Sequence, residues 1–235
     1  MRPLSLCLDS LPALRESAGT QFDLSAASSL AELAGVSALR LGVDEGQGPV
    51  AAADVEWVRR TAQCLELRLP VSQSLLKLAL ETRPDAVLLA GDPFDGTLAS
   101  RPVEPNAASS GLSSMVRSLV EAGVEVMMLI APSLDAVKAA HGLGVGRVEL
   151  FTGATVDLPT AERRGRLDAL GDAARLAAKL RMSVGVGGGL DYRSVSEVLE
   201  IIPSADFVSV GRAVLARSLL VGIDRAVRDF SALLR

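Results

Sequence analysis

Short runs rich in Val, Leu and Ile alternate along this chain with longer segments whose apolar residues recur every three to four positions. That rhythm marks repeated βα units around a parallel sheet, where strands are buried on both faces and helices on one. Eight strands are predicted, at Leu4 to Leu8, Ala38 to Val43, Leu65 to Leu69, Ala86 to Ala90, Glu125 to Ile130, Arg147 to Phe151, Met182 to Val186 and Asp206 to Val210. Between them, Glu162 to Leu180 sets Leu167, Leu170, Ala174, Ala177 and Leu180 on one helical stripe. The last segment does the same with Leu219, Ile223, Ala226, Phe230 and Leu234, so both stripes are expected to pack on the sheet.

Eight such units in 235 residues favour an α/β fold of one domain, residues 1–235, closed as a (β/α)8 TIM barrel rather than opened as a doubly wound sheet. The long irregular stretch from Gly91 to Ser110 follows the fourth strand. It exceeds ordinary loop lengths and reads as a lid over the barrel mouth, with a disordered surface insertion as the alternative.

Charge and composition then remove whole classes of function. Twenty-four Lys and Arg against 28 Asp and Glu give a net charge of -4 with no basic run, so nucleic acid is not an expected partner. Mean hydropathy is high at +0.34, yet the most apolar stretch, Val124 to Ala131, is strand-sized and carries Glu125, so no membrane span is expected. The chain start runs through Leu4 to Leu8 straight into Asp9 without a signal-peptide core, and a cytoplasmic location is expected. Two cysteines, Cys7 and Cys64, and one histidine, His141, leave few parts for a disulfide framework, a zinc motif or a Ser-His-Asp triad. Neither a metal nor a cofactor is expected. Cys7 reads as a small buried thiol, His141 as a residue favoured at a helix C-terminus, and Trp57 as a packing residue.

In a barrel, strand side chains alternate between the interior and the helical layer, and sites are built at the C-terminal strand ends. Alternation sends Leu4, Leu6 and Leu8 outward and Ser5, Cys7 and Asp9 inward; it also points Ala38, Arg40, Gly42, Glu66, Arg68, Glu149 and Phe151 inward. Asp9, Arg40, Glu66, Arg68 and Glu149 thus place three negative and two positive charges where Val, Ile and Leu usually stand. Such charges must be paired or used, so two readings stand: a polar site for a charged small molecule, or a structural ion-pair lattice. Glycine turns follow strands seven and eight, Gly187-Gly188-Gly189 and Gly211-Arg212. Barrels bind phosphate at this place through backbone N–H groups and a helix N-terminus, and Arg212 adds a charge-assisted donor. A dinucleotide fingerprint is excluded, because the third required glycine position is Leu190.

Several motifs stand in order along nearly the whole chain: Leu14-Arg15 with Gly19-Thr20, Ala31-Glu32-Leu33-Ala34-Gly35 and Glu81-Thr82-Arg83-Pro84, then Glu149-Leu150-Phe151-Thr152-Gly153, Gly187 to Tyr192, and Val210-Gly211-Arg212. Together they resemble the pyridoxine 5′-phosphate synthase family. The resemblance implies a TIM barrel that condenses 1-deoxyxylulose 5-phosphate with aminoacetone phosphate, and a homo-oligomer. It also implies a role for Glu149 in stabilising the transition state. Of the family's Asn-x-Asp-His, only Asp9 remains in Cys7-Leu8-Asp9-Ser10. Its His-Leu-Arg, whose histidine accepts a proton, is Gly42-Val43-Asp44; its strand-three glutamate falls on Arg68, with Glu66 two residues earlier. The Gly-His-Gly proton donor is Gly187-Gly188-Gly189, Gly211-Arg212 stands where the family sets Gly-His on a phosphate, and the family's basic lid reads Asp92-Pro93-Phe94-Asp95. The expectation is a divergent barrel that binds a small phosphorylated metabolite at Asp9, the three glycines, Gly211 and Arg212 without the family condensation. Two alternatives are an active synthase that uses Glu66, Asp9 and Glu149, and a non-catalytic assembly protein.

Overall fold

Each predicted apolar run forms a strand, because a segment such as Leu65-Glu66-Leu67-Arg68-Leu69 offers leucines to the helical layer on one face while its other face turns to the barrel axis. A computed structural model describes residues 1–12, 23–45, 50–91, 101–105, 110–153 and 158–235. The strands are β1 (Leu4–Cys7), β2 (Ala38–Gly42), β3 (Leu65–Leu69), β4 (Ala86–Leu89), β5 (Glu125–Ile130), β6 (Arg147–Phe151), β7 (Ser183–Gly187) and β8 (Phe207–Val210). All neighbours are parallel, and β8 pairs with β1 to close the barrel in sequence order.

The outer layer is α1 (Leu24–Leu33), α2 (Ala52–Thr61), α3 (Gln73–Thr82), α4 (Ser110–Glu121), α5 (Leu134–Gly142), α6 (Thr160–Lys179), α7 (Val195–Ile201), α8 (Arg212–Val221) and α9 (Ile223–Ser231). Short side chains start several of them: Asp23 accepts from Ala26 N at 2.9 Å and Ser133 from Ala136 N at 3.1 Å. The core falls into two parts. A large annulus between strands and helices contains Leu4, Leu6, Leu8, Leu39, Leu41, Leu65, Leu67 and Phe230. A small separate cluster inside the barrel holds Ala86, Leu88, Ala90, Met127, Leu129 and Phe207, with Phe151 against it.

Two sequence expectations are corrected. The last stripe is not one helix: Gly222, at φ +81, ends α8 and starts α9, and Leu219 is 73% exposed while Ala226 and Phe230 stay in the core. Left-handed backbone suits glycine alone without strain, so the chain turns there. Trp57 is 57% exposed rather than packed, since α2 buries the stripe Asp54, Val55 and Val58 and leaves position 57 outside it. His141 lies in the last turn of α5, where its positive form would suit the helix dipole. The expected lid lies largely outside the described residues, including Asp92-Pro93-Phe94-Asp95; within them, Gly91 pairs with Arg101 and Val103 with Ile130. No described helix is long and apolar enough to cross a membrane.

Candidate active site

Register puts Arg40 of β2 beside Glu66 of β3, and both side chains turn to the barrel axis. Arg40 Nε donates to Glu66 Oε2 at 2.9 Å, and Arg40 Nη2 lies 2.7 Å from the same oxygen. Its Nη1 reaches across the barrel to Glu149 Oε2 on β6 at 2.8 Å. Two serines finish the lattice: Ser5 Oγ donates to Glu66 Oε2 and Ser209 Oγ to Glu149 Oε1, both at 2.6 Å. From the N-terminal end of the barrel, Arg147 Nη2 approaches Glu66 Oε1 at 3.8 Å, while Nη1 binds Glu125 at 2.8 Å. Charges therefore alternate Glu125, Arg147, Glu66, Arg40, Glu149 from one end of the barrel toward the other.

The titration behaviour follows from this packing. Burial alone would raise the pKa of Glu66, but Arg40, the Ser5 hydroxyl and Arg147 outweigh it and hold the carboxyl below its ordinary value. For Arg40, burial favours loss of the proton, and Glu149 and Glu66 reverse that, so the pKa is raised. A buried pair of this kind is costly to break from one side, because the remaining charge stays in the interior without compensation.

A second cluster sits at the mouth beside the first. Arg68 Nε faces Asp9 Oδ2 at 3.5 Å and Nη2 faces Asp44 Oδ2 at 3.3 Å, with Arg68 only 1% exposed. Asp9 Oδ1 also accepts from Gly42 N. Burial would lower the pKa of Arg68, while Asp9 and Asp44 raise it. Gly42 lies opposite Arg68 in the β2–β3 register, and a Cβ there would overlap both the guanidinium and Asp9. The absent side chain is the space that Arg68 fills.

Above these clusters opens a cavity of about 490 Å³, lined by Cys7, Arg40, Arg68, Glu149, Phe151, Gly188, Gly189, Asp191, Ser209, Gly211, Arg212 and a few apolar neighbours. Its size suits a small metabolite. Helix α8 begins on its wall with Gly211 at the N-cap, no side-chain cap and no acidic residue in the first turn. Its first N–H groups are thus placed for an anion. After β7, Gly188 at φ +77 packs under the Phe151 ring, which fills the place of a Cβ. Asp191 then folds the chain back by accepting from Arg193 N at 2.9 Å and Ser194 N at 2.8 Å. The Cys7 thiol is pushed far up by burial and by Asp9, so the thiolate is not available near neutral pH.

Of the residues expected at a site, Glu149, Arg40, Arg68, Gly188, Gly189, Gly211 and Arg212 share the cavity wall. Glu66 lies one layer deeper, Asp9 lies behind Arg68, and Gly187 runs beneath Glu149 and Ser209. Sequence reasoning missed Arg147, which has the inward parity of Glu149 two residues later. It also missed Asp44, beyond the strand end, and Ser209, while Ser5 has the inward parity the sequence predicts. Among the described residues, no group of His, Cys, Asp and Glu is arranged to hold a metal ion.

Comparison with known proteins agrees with the barrel and goes further. The pyridoxine 5′-phosphate synthase of Syntrophotalea carbinolica is 31% identical over 236 residues, covering 99% of this chain and 98% of its own. That of Geobacter metallireducens is 28% identical over 238 residues, covering 100% and 99%. Similar solved structures include a protein from Aquifex aeolicus VF5, with TM-score 0.68, 14% identity and coverage of 100% and 93%. Tryptophan synthase from M. tuberculosis follows, with TM-score 0.66, 15% identity and coverage of 100% and 92%. At such identities these two speak for the fold alone. The family model described as pyridoxal phosphate biosynthesis protein PdxJ matches residues 4–235, and the chain belongs to that family.

Proposed function

We propose that this PdxJ-family barrel binds a small phosphorylated metabolite at the β7–β8 side of its mouth and does not carry out the condensation for which its relatives are named. The observation that carries this reading is Arg40, which bridges Glu66 and Glu149 at 2.7 and 2.8 Å. Imine formation, dehydration and ring closure need repeated proton transfers, and a positioned acid or base contributes about 10² to 10⁴ in rate. Glu149, which matches the family pattern, and Glu66, two residues before the family's strand-three position, are instead spanned by one guanidinium and tied to serine hydroxyls. The cavity wall holds no histidine, and its thiol does not ionise near neutrality.

The departures from the family pattern also depend on one another. Arg68, where the family has a glutamate, occupies the volume of a side chain at position 42, where the family has a histidine. Asp44, where the family has an arginine, is the partner of Arg68. Phe151 covers the position at Gly188 from which the family's donor histidine would project. These are two coherent rearrangements rather than scattered losses, and restoring one residue at a time would create overlap. The phosphate end remains supported by the uncapped N-terminus of α8, by Gly188, Gly189 and Gly211, and by Arg212.

The deciding experiment is incubation of the folded protein with 1-deoxyxylulose 5-phosphate and aminoacetone phosphate beside an active synthase, with product read by mass spectrometry. The expected result is no product in this protein and product in the control. Turnover that disappears in Glu149→Gln would overturn the non-catalytic reading, since Glu149 is the lattice carboxylate on the cavity wall. Calorimetry with inorganic phosphate tests the binding half.

A further inference from the structure

Five inward side chains close a ring across the barrel. Ser5 and Ser209 are register partners on β1 and β8, and each donates to one of the two carboxylates that Arg40 spans, Glu66 and Glu149. The ring thus holds two negative charges and one positive. Arg147 comes no closer to Glu66 than 3.8 Å and is itself tied to Glu125, so the series from Glu125 to Glu149 still sums to one negative charge. The two carboxylates are not held alike. Glu66 Oε2 accepts from Ser5 Oγ and Arg40 Nε and faces Arg40 Nη2, with Arg147 near its other oxygen, whereas Glu149 has Ser209 Oγ and Arg40 Nη1. A proton added to the ring therefore goes to Glu149, and it leaves Arg40 and Glu66 as a neutral pair.

Glu149 is also the carboxylate under the anion end. It lines the cavity, and a Cβ on Gly187 would overlap both its Oε1 and Ser209 Oγ, so the two side chains lie beneath the turns that follow β7 and β8. Its register neighbours, Leu129 and Gly185, bring no charge. The other ionisable groups around the cavity are committed or distant from neutrality. Arg68 faces Asp9 and Asp44, Cys7 stays a thiol, and Arg212 is exposed at the rim. Burial would raise the pKa of Asp191, but Ser194 and Arg193 outweigh it and hold the carboxyl below its ordinary value. We propose that the barrel takes up a proton together with its anion: resting on the reading that phosphate binds at the N-terminus of α8, Glu149 is charged in the free protein and protonated when a dianion sits above it. Negative charge brought over a buried carboxylate favours its neutral form. By reciprocity, anion affinity rises as pH falls, so the site loads in mild acid and releases toward neutrality.

The test is calorimetry with sulfate, which keeps both negative charges from mild acid to neutrality, so that any pH dependence belongs to the protein. Titrations in two buffers of different ionisation heat count the protons taken up. Wild type should take up a proton on binding, and its sulfate affinity should rise about three- to tenfold for each pH unit lost. Glu149→Gln is fixed in a neutral form. It should take up no proton, lose the slope and bind sulfate at neutral pH as tightly as wild type does in mild acid. Sulfate bound by wild type with neither proton uptake nor slope overturns the proposal and leaves the anion end standing. Folded wild type that binds no sulfate removes both. A slope that persists in Glu149→Gln, or weaker binding by that variant at every pH, overturns the proposal too. Should Glu149→Gln fail to fold, Ser209→Ala removes one donor to the charged form, and the rise in affinity should move to higher pH. An unmoved profile in Ser209→Ala then overturns the proposal.

Discussion

The interior of this barrel is divided between two kinds of matter. Toward β1, β2, β3 and β6 it holds Ser5, Arg40, Glu66, Arg68 and Glu149; toward β4, β5 and β8 it holds Ala86, Leu88, Met127, Leu129 and Phe207. The charged side is directional, with Arg40 fixed by three contacts under 3 Å. The apolar side needs only volume and shape. They meet at Phe207, whose ring packs over Gly185 and lies 4.1 Å from the guanidinium carbon of Arg147. The difference teaches that one small barrel can be filled by either physics, but that the charged half fails through one bond and the apolar half fails gradually.

The largest expected effect comes from the hub. Arg40→Met leaves Glu149 buried with only the Ser209 hydroxyl and Glu66 with Ser5 and the more distant Arg147, and a loss of about 3–5 kcal/mol is expected, read from the urea midpoint and slope together. A loss below about 1 kcal/mol would mean that water or a shift of Arg147 replaces Arg40 easily, and the contrast between the halves would fail. Next comes Leu129→Ala on the apolar side. Leu129 is 1% exposed, and its truncation should cost about 2–5 kcal/mol depending on how far Met127 and Phe207 close the cavity. Addition of a small apolar ligand such as benzene should recover part of that loss, which no apolar ligand would do for Arg40→Met.

The acid limb separates the halves in another way. The pKa of Glu66 is lower in the folded protein than in the unfolded chain, so its contribution to stability is present above the unfolded value, about 4.3 for glutamate. It is lost as pH falls through the folded value. Denaturation midpoints should therefore drop on acidification below about pH 4.5. Glu66→Gln should lower stability at neutral pH and flatten that acid slope, while Leu129→Ala should keep the wild-type slope. An unchanged slope in Glu66→Gln would assign the acid loss to other carboxylates.

How much of this was legible in the sequence follows the same division. All eight strands could be read because both-face burial writes continuous apolar runs, and parity alone turned Asp9, Arg40, Glu66, Arg68 and Glu149 inward. Partner choice could not be read. Arg40 joins its register neighbour Glu66, but it also joins Glu149 from across the barrel, and that pairing exists only after closure. Gly42 was placed inward by alternation, yet its meaning lies in the bulk of Arg68 opposite, which no local pattern contains. Trp57 and Leu219 depart from expectation for a simpler reason: large apolar residues suggest burial, but helix phase and the turn at Gly222 leave these two exposed.

The smallest expected effect is the sharpest test of what the apolar half requires. Met127 is wholly buried among Ala86, Leu88, Leu129 and Phe207, with no polar contact to preserve. Leucine has nearly the same volume, and its branched end differs from the thioether chain mainly in shape. If this side works by filling space, neighbouring side chains adjust and Met127→Leu costs less than about 1.5 kcal/mol, with the acid slope unchanged. No such exchange exists for Arg40, because a residue of similar volume lacks the fork that holds two carboxylates at once. A loss for Met127→Leu approaching that of Arg40→Met would mean that the apolar sector is as exacting as the ionic one. The barrel would then be a single jigsaw in which the charges are only its most visible pieces.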